Sequence, residues 1–162
     1  MAGLSLESIV VENDNSEDVT QSETLPMPAR RIAVVDDSRI DFRLLRRQLE
    51  MSNNSNLVIE HYSTLAEFLD DATVSPDAVI LDRHLPESGL SEGRIREIRA
   101  RHKNCGVIIH TGMMTPSLRS TASHEGAIAV IEKGTLDSEA IGLLVETAAV
   151  LGPQMYLPGG RH

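Results

Sequence analysis

The sequence predicts an α/β fold, a doubly wound parallel sheet of five strands with helices on both faces, and two observations carry that prediction. From Arg30 onward short aliphatic runs alternate five times with amphipathic stretches, the signature of repeated βαβ units. Four of the five runs, 32–36, 78–82, 106–111 and 128–132, are almost continuously apolar, as strands covered on both faces must be. The remaining run, 57–62, alternates Val58, Glu60 and Tyr62 with Leu57, Ile59 and His61, a mixed pattern that suits a sheet edge. The second strand therefore belongs outside the first.

The helices follow from spacing and caps. Phe42, Leu45 and Leu49 recur at i, i+3, i+7, and Leu65, Phe68 and Leu69 at i, i+3, i+4. Ile141, Leu144, Val145 and Ala148 make a longer stripe of the same kind. Ser38, Ser63 and Asp137 are the expected N-caps, because a short side-chain oxygen accepts a free N–H of the first helical turn. A third helix over 91–102 rests on Ile95 and Ile98, and a fourth starts near Thr115-Pro116 with few large apolar residues. The last helix should end near Leu151-Gly152-Pro153.

Composition bounds the rest. The 162 residues suffice for one domain with its own core, which must be aliphatic because aromatic residues are 2% and Trp is absent. A net charge of −9 disfavours nucleic acid and anionic lipid as partners. The single cysteine, Cys105, excludes an internal disulfide and reads as a small core residue. Met1 to Val10 has no basic n-region, and no apolar run approaches the ~20 residues of a membrane span. A soluble, cytoplasmic protein is expected. Residues 1–29, without Lys or Arg before Arg30, read as a flexible acidic leader; 30–151 form the domain, and 152–162 a tail too short for a second folded module.

In an open parallel α/β sheet ligands bind beyond the carboxyl ends of the strands. The first strand ends in Asp36-Asp37, the third in Asp82, the fourth in Thr111 and the fifth in Lys133. Three carboxylates meeting at one edge repel one another, and a hard divalent cation with oxygen ligands, most naturally Mg²⁺, relieves that repulsion. A hydroxyl and an ammonium beside them suit the charge of an incoming phosphoryl group. Each residue has a plainer use by itself: Ser38 and Asp37 in a helix cap, Asp82 in a turn, Thr111 in a hydroxyl turn, Lys133 as a solvated charge. Their coincidence at four strand ends argues for a phosphoryl-accepting aspartate.

Here the sequence resembles the receiver domains of bacterial two-component response regulators. Ile-Ala-Val-Val-Asp36-Asp37-Ser38 looks like the family's acidic pair, and Val-Ile-Leu-Asp82-Arg-His-Leu-Pro86 like its phospho-acceptor strand. His-Thr111-Gly112 looks like the switch hydroxyl and Ile-Glu-Lys133 like the strand-five lysine, at successive spacings of 46, 29 and 22 residues from Asp36. The resemblance covers about residues 30 to 151 and implies a flavodoxin-like (βα)5 sheet in order 2-1-3-4-5. It implies that Asp82 accepts a phosphoryl group from a histidine kinase or phosphotransfer protein. Asp36, Asp37, Asp82 and the backbone carbonyl of His84 would hold Mg²⁺, and Lys133 and Thr111 would answer to the phosphoryl group. The resemblance also implies that His84 and Met113, two residues beyond the acceptor and the switch hydroxyl, occupy positions that in the family gate water access to the phosphoaspartate.

Two departures stand out. Gly134 follows Lys133 where the family usually has proline, and since a cis bond at a non-proline residue costs roughly 2.5 to 4 kcal/mol, a trans and more mobile loop is expected. Val130 stands where an aromatic often swings inward, so aromatic-swing signalling does not carry over. Arg39, Arg43, Arg46 and Arg47 on the first helix would dock an acidic kinase or phosphotransfer surface, unless they are simply a solvated face. The expected function is a stand-alone phosphoacceptor switch, not an enzyme in the ordinary sense, acting on an unidentified downstream protein as a monomer or a phosphorylation-linked dimer. The alternative is a receiver-like interaction module that works without phosphorylation. An aspartyl-phosphate hydrolase would need a second carboxylate two residues after its nucleophile, where His84 stands. The six histidines show no metal-ligand spacing, which argues against zinc.

Overall fold

The computed structural model describes residues 28–54 and 56–155. The acidic leader, apart from its last two residues, and most of the tail lie outside the described residues. Strands β1 (Arg30–Val35), β2 (Leu57–Tyr62), β3 (Ala78–Asp82), β6 (Gly106–Thr111) and β7 (Ala129–Glu132) form one parallel sheet in the order β2-β1-β3-β6-β7. This is the expected 2-1-3-4-5 order, because β4 (His84–Leu85) and β5 (Gly89–Leu90) make a separate antiparallel hairpin between β3 and the third helix. Every residue of β3 and β6 is buried, whereas β2 is half-exposed along its length. The edge position read from the mixed pattern of 57–62 is the one observed.

The period of two along each strand divides the core. Ala33, Val35, Val79, Leu81, Val107 and Ile109 point to one face, covered by α2 (Leu65–Asp70), α3 (Ile95–Arg101) and α4 (Pro116–Glu125) through Phe68, Ile95, Ile98 and Leu118. Ile32, Val34, Ala78, Ile80 and Ile108 point to the other, under α1 (Arg39–Met51) and α5 (Ser138–Gln154) through Leu45, Leu49, Ile141, Val145 and Ala148. Helix α5 lies unusually close to the sheet: a Cβ on Gly106 would overlap the backbone carbonyl of Ala148. Only glycine lets the two backbones meet there.

Several boundaries differ from the sequence reading. Ser38 and Asp137 cap α1 and α5 as expected, but α2 is capped by Thr64, not Ser63. Thr64 is followed three residues later by Glu67, whose backbone N–H it accepts at 3.1 Å, while the Glu67 carboxylate turns back to the Ser63 N–H at 3.0 Å. The stretch 91–102 opens with a 3-10 turn, Ser91–Arg94, before α3 begins. Helix α5 runs through Pro153 to Gln154, since a proline in the last turn leaves the remaining bonds, such as Met155 N–H to Leu151 O at 3.1 Å, intact. The described residues contain no cis peptide, and Gly134 takes φ +78°, a left-handed conformation that proline cannot adopt.

Candidate functional site

The parallel ladder sets the carboxyl ends of β1, β3, β6 and β7 side by side, with Asp82 opposite His110 and Thr111 opposite Glu132 in register. Backbone bonds extend the order past the strands: Asp36 N–H reaches Tyr62 O at 3.1 Å, Arg83 N–H reaches His110 O at 2.9 Å, and Lys133 N–H reaches Thr111 O at 2.7 Å. Asp36 and Asp82 are buried, Asp37 is exposed, and one oxygen from each lies within 4.8 Å of the others. An all-oxygen, all-carboxylate donor set of this size suits a hard divalent cation.

Lys133 enters from beyond β7. Its Nζ lies 2.8 Å from Asp41 Oδ2, 3.1 Å from Asp36 Oδ2 and 3.4 Å from Asp82 Oδ1. The second oxygen of Asp36 accepts the Ser38 N–H at 2.8 Å, so both of its oxygens are engaged. Burial, and then the neighbouring Asp36 charge, push the Asp82 carboxyl above its ordinary value, with Lys133 and the His84 N–H pulling the other way. Burial depresses the Lys133 ammonium, but its bonds to Asp41 and Asp36 outweigh that and leave it raised. Asp41 is held low, chiefly by the hydrogen bond from Lys133.

Thr111 is fully buried, and its hydroxyl donates to Met113 O at 3.0 Å while accepting the Met113 N–H at 3.2 Å. In this state the hydroxyl closes a local turn. His84 and Met113 flank the acceptor strand and β6 with exposed side chains, and the His84 N–H points at Asp82 Oδ1 from 3.4 Å. Val130 is half-buried against the face covered by α2, α3 and α4. Arg39, Arg43, Arg46 and Arg47 are exposed on α1, Arg46 paired with Glu50 at 2.7 Å.

Five participants escaped the sequence reading. Asp41 has just been described; its signal was its place in the first turn of α1, the turn that faces the carboxyl edge. Ser91 is fully buried, and its hydroxyl donates to the main-chain carbonyl of Asp82 at 2.6 Å. Arg83 and Glu92 form a mostly buried ion pair at 3.0 Å that closes the segment around the β4–β5 hairpin. His61 donates from Nε2 to Asp36 O at 2.8 Å, its ring stacked on Phe42 with centroids 4.0 Å apart. Behind the site, burial and then Lys133 push the imidazole of His110 down to about 4, so it stays neutral at neutral pH.

Residues 32–144 match the family model of the response regulator receiver domain, and the chain belongs to that family. No curated protein sequence matches it significantly. Among solved structures it is similar to a response regulator from Thermotoga maritima, at 20% identity and a TM-score of 0.64, over 75% of this chain and 98% of that one. A CheY-like receiver domain protein from Methanospirillum hungatei JF-1 gives 16% identity and a TM-score of 0.66, over 78% and 98%. A response regulator from Burkholderia pseudomallei, solved with a phosphorylated aspartic acid, a calcium ion and citrate, gives 19% identity and a TM-score of 0.63, over 75% and 69%. These likenesses are of fold. Receiver domains are signalling modules with a phosphorylatable aspartate, and the described residues include no helix long and apolar enough to cross a membrane.

Proposed function

We propose that this receiver belongs to a cytoplasmic response regulator, accepts a phosphoryl group on Asp82 from a histidine kinase or phosphotransfer protein and signals through protein–protein contacts. The observation that supports it most is the grouping of Asp82 with Asp36 and Asp37 within 4.8 Å, with the Lys133 ammonium 3.4 Å from the acceptor oxygen. Mg²⁺, held by Asp36, Asp37, Asp82 and the His84 carbonyl, would supply the positive charge that lets three carboxylates and a phosphoryl group share one site. An Asp82 oxygen forms the new O–P bond as the P–N bond of phosphohistidine breaks, and the imidazole nitrogen keeps the electron pair. Lys133 then pairs with the phosphoryl oxygens, and the Thr111 hydroxyl leaves Met113 to donate to them.

That exchange biases the surface of α4, β7 and α5 toward a second state, read by a downstream protein or by a second copy. His84 and Met113 slow the approach of water, and Arg39, Arg43, Arg46 and Arg47 meet an acidic donor surface. The protein takes up one phosphoryl group and does not turn over a substrate. The second reading, a module that acts without phosphorylation, draws on the engagement of Thr111 with Met113 and on Val130 and Gly134. A phosphorylated histidine phosphotransfer protein separates the two. The proposal expects its label to pass to the wild type in Mg²⁺ but neither to Asp82→Asn nor in a chelator; donors that keep their label favour the second reading.

A further inference from the structure

The ammonium that should serve the phosphoryl group lies nearest a carboxylate outside the acidic triad. Lys133 Nζ is 2.8 Å from Asp41 Oδ2, against 3.4 Å from Asp82 Oδ1. Asp41 is fixed in the first turn of α1, where its own N–H is held by the Ser38 hydroxyl at 3.2 Å, so the carboxylate is presented by a capped backbone. An ammonium has three N–H donors, and Lys133 faces three carboxylates with them. A phosphoryl oxygen must therefore displace one of these contacts or share the ammonium's charge with it. Asp36 and Asp82 belong to the group within reach of one cation, whereas Asp41 does not. When the other charges are neutralised, that of Asp41 remains.

We propose that Asp41 is a competing carboxylate, which holds Lys133 toward α1 in the unmodified state and weakens the hold of the site on a phosphoryl group. The inference rests on the phosphoacceptor reading above. Its sign does not depend on how Lys133 moves. If the ammonium leaves Asp41, a short ion pair is lost; if it bridges, a negative charge stays beside a group bearing about −2. Either way Asp41 opposes the modified state. The Asp41 side chain is 36% exposed and that of Lys133 22%, so water softens the competition without abolishing it.

The test compares the wild type, Asp41→Asn and Asp41→Glu by titration with beryllofluoride, a phosphoryl mimic, at saturating Mg²⁺, followed by fluorine NMR. The expected result is binding roughly three- to tenfold tighter in Asp41→Asn, the scale of one unit charge removed at this range in a wet site, and wild-type binding in Asp41→Glu. Urea denaturation of each variant separates the two causes, since loosening of α1 would lower stability and weaken binding, whereas removal of the competing charge tightens it. Equal or weaker binding by a folded Asp41→Asn overturns the inference while leaving the phosphoacceptor reading intact. A wild type that takes no beryllofluoride overturns that reading and this inference with it.

Discussion

The Ser91 hydroxyl donates to the main-chain carbonyl of Asp82 across 2.6 Å, tying the end of the acceptor strand to the start of the turn that leads into α3. The Ser91 N–H adds a bond to Arg83 O at 2.9 Å, and the Arg83–Glu92 pair closes the same segment. Together these bonds hold the backbone that carries the acceptor carboxylate. Ser91→Ala should cost about 1 kcal/mol of stability, and up to about 3 if the carbonyl is left without a donor. It should also slow labelling of Asp82 by acetyl phosphate. Urea denaturation and timed intact-mass measurements check both, and a variant unchanged in each would show that the bond does not position the acceptor.

Asp82 and Asp41 should move stability with pH in opposite directions. The raised Asp82 carboxyl binds its proton more tightly in the folded chain, so this group removes stability as pH climbs from the ordinary carboxylate value through the raised one. In a chelator Asp82→Asn should therefore gain on the wild type in melting temperature over that climb. Mg²⁺ at 100 times its dissociation constant should stabilise the wild type by about 2.7 kcal/mol and reverse the order. Asp41 is held low by Lys133, so its contribution is full above the ordinary carboxylate value and fades as pH falls through the lowered one. Asp41→Asn should cost more at pH 6 than at pH 3. Melts of the three proteins between those values, with and without Mg²⁺, check the signs.

Gly134 makes this receiver's fifth strand end differently from the family pattern. Its φ of +78° is outside the range of proline, whose ring holds φ near −65°, and the turn is tied by Lys133 N–H to Thr111 O at 2.7 Å and Thr135 N–H to Glu132 O at 3.2 Å. Restoring the family's usual residue should thus harm this protein. Gly134→Pro should lower stability by more than about 1 kcal/mol and displace Lys133, reducing acetyl phosphate labelling, with thermal melts and mass spectra as readouts. A variant as stable and as readily labelled as the wild type would mean that the turn accommodates both residues.

The fold was legible because its signals are local and periodic. The aliphatic runs ending at Asp36, Asp82 and Thr111 are each long enough to mark a buried strand, and the polar residues of 57–62 marked an edge. The order of the strands came from the family resemblance, since pairing is set by long-range contacts that no run displays. Asp36, Asp37, Asp82, Thr111 and Lys133 stood out because each ends a strand at the edge where ligands bind. Asp41, Ser91 and His61 did not: their partners are 92, 9 and 25 residues away, and each lies in a helix, a turn or an edge strand with no motif of its own. The cap of α2 was missed between adjacent hydroxyl residues, Ser63 and Thr64, that only the reach of Glu67 distinguishes.

The acceptor role of Asp82 is tested most directly by intact-mass spectrometry of the wild type and Asp82→Ala after incubation with Mg²⁺ and acetyl phosphate. The account predicts one added phosphoryl group on the wild type, absent from the variant and from a chelated control. A wild type that gains no mass, or a variant that gains the same mass, would contradict it.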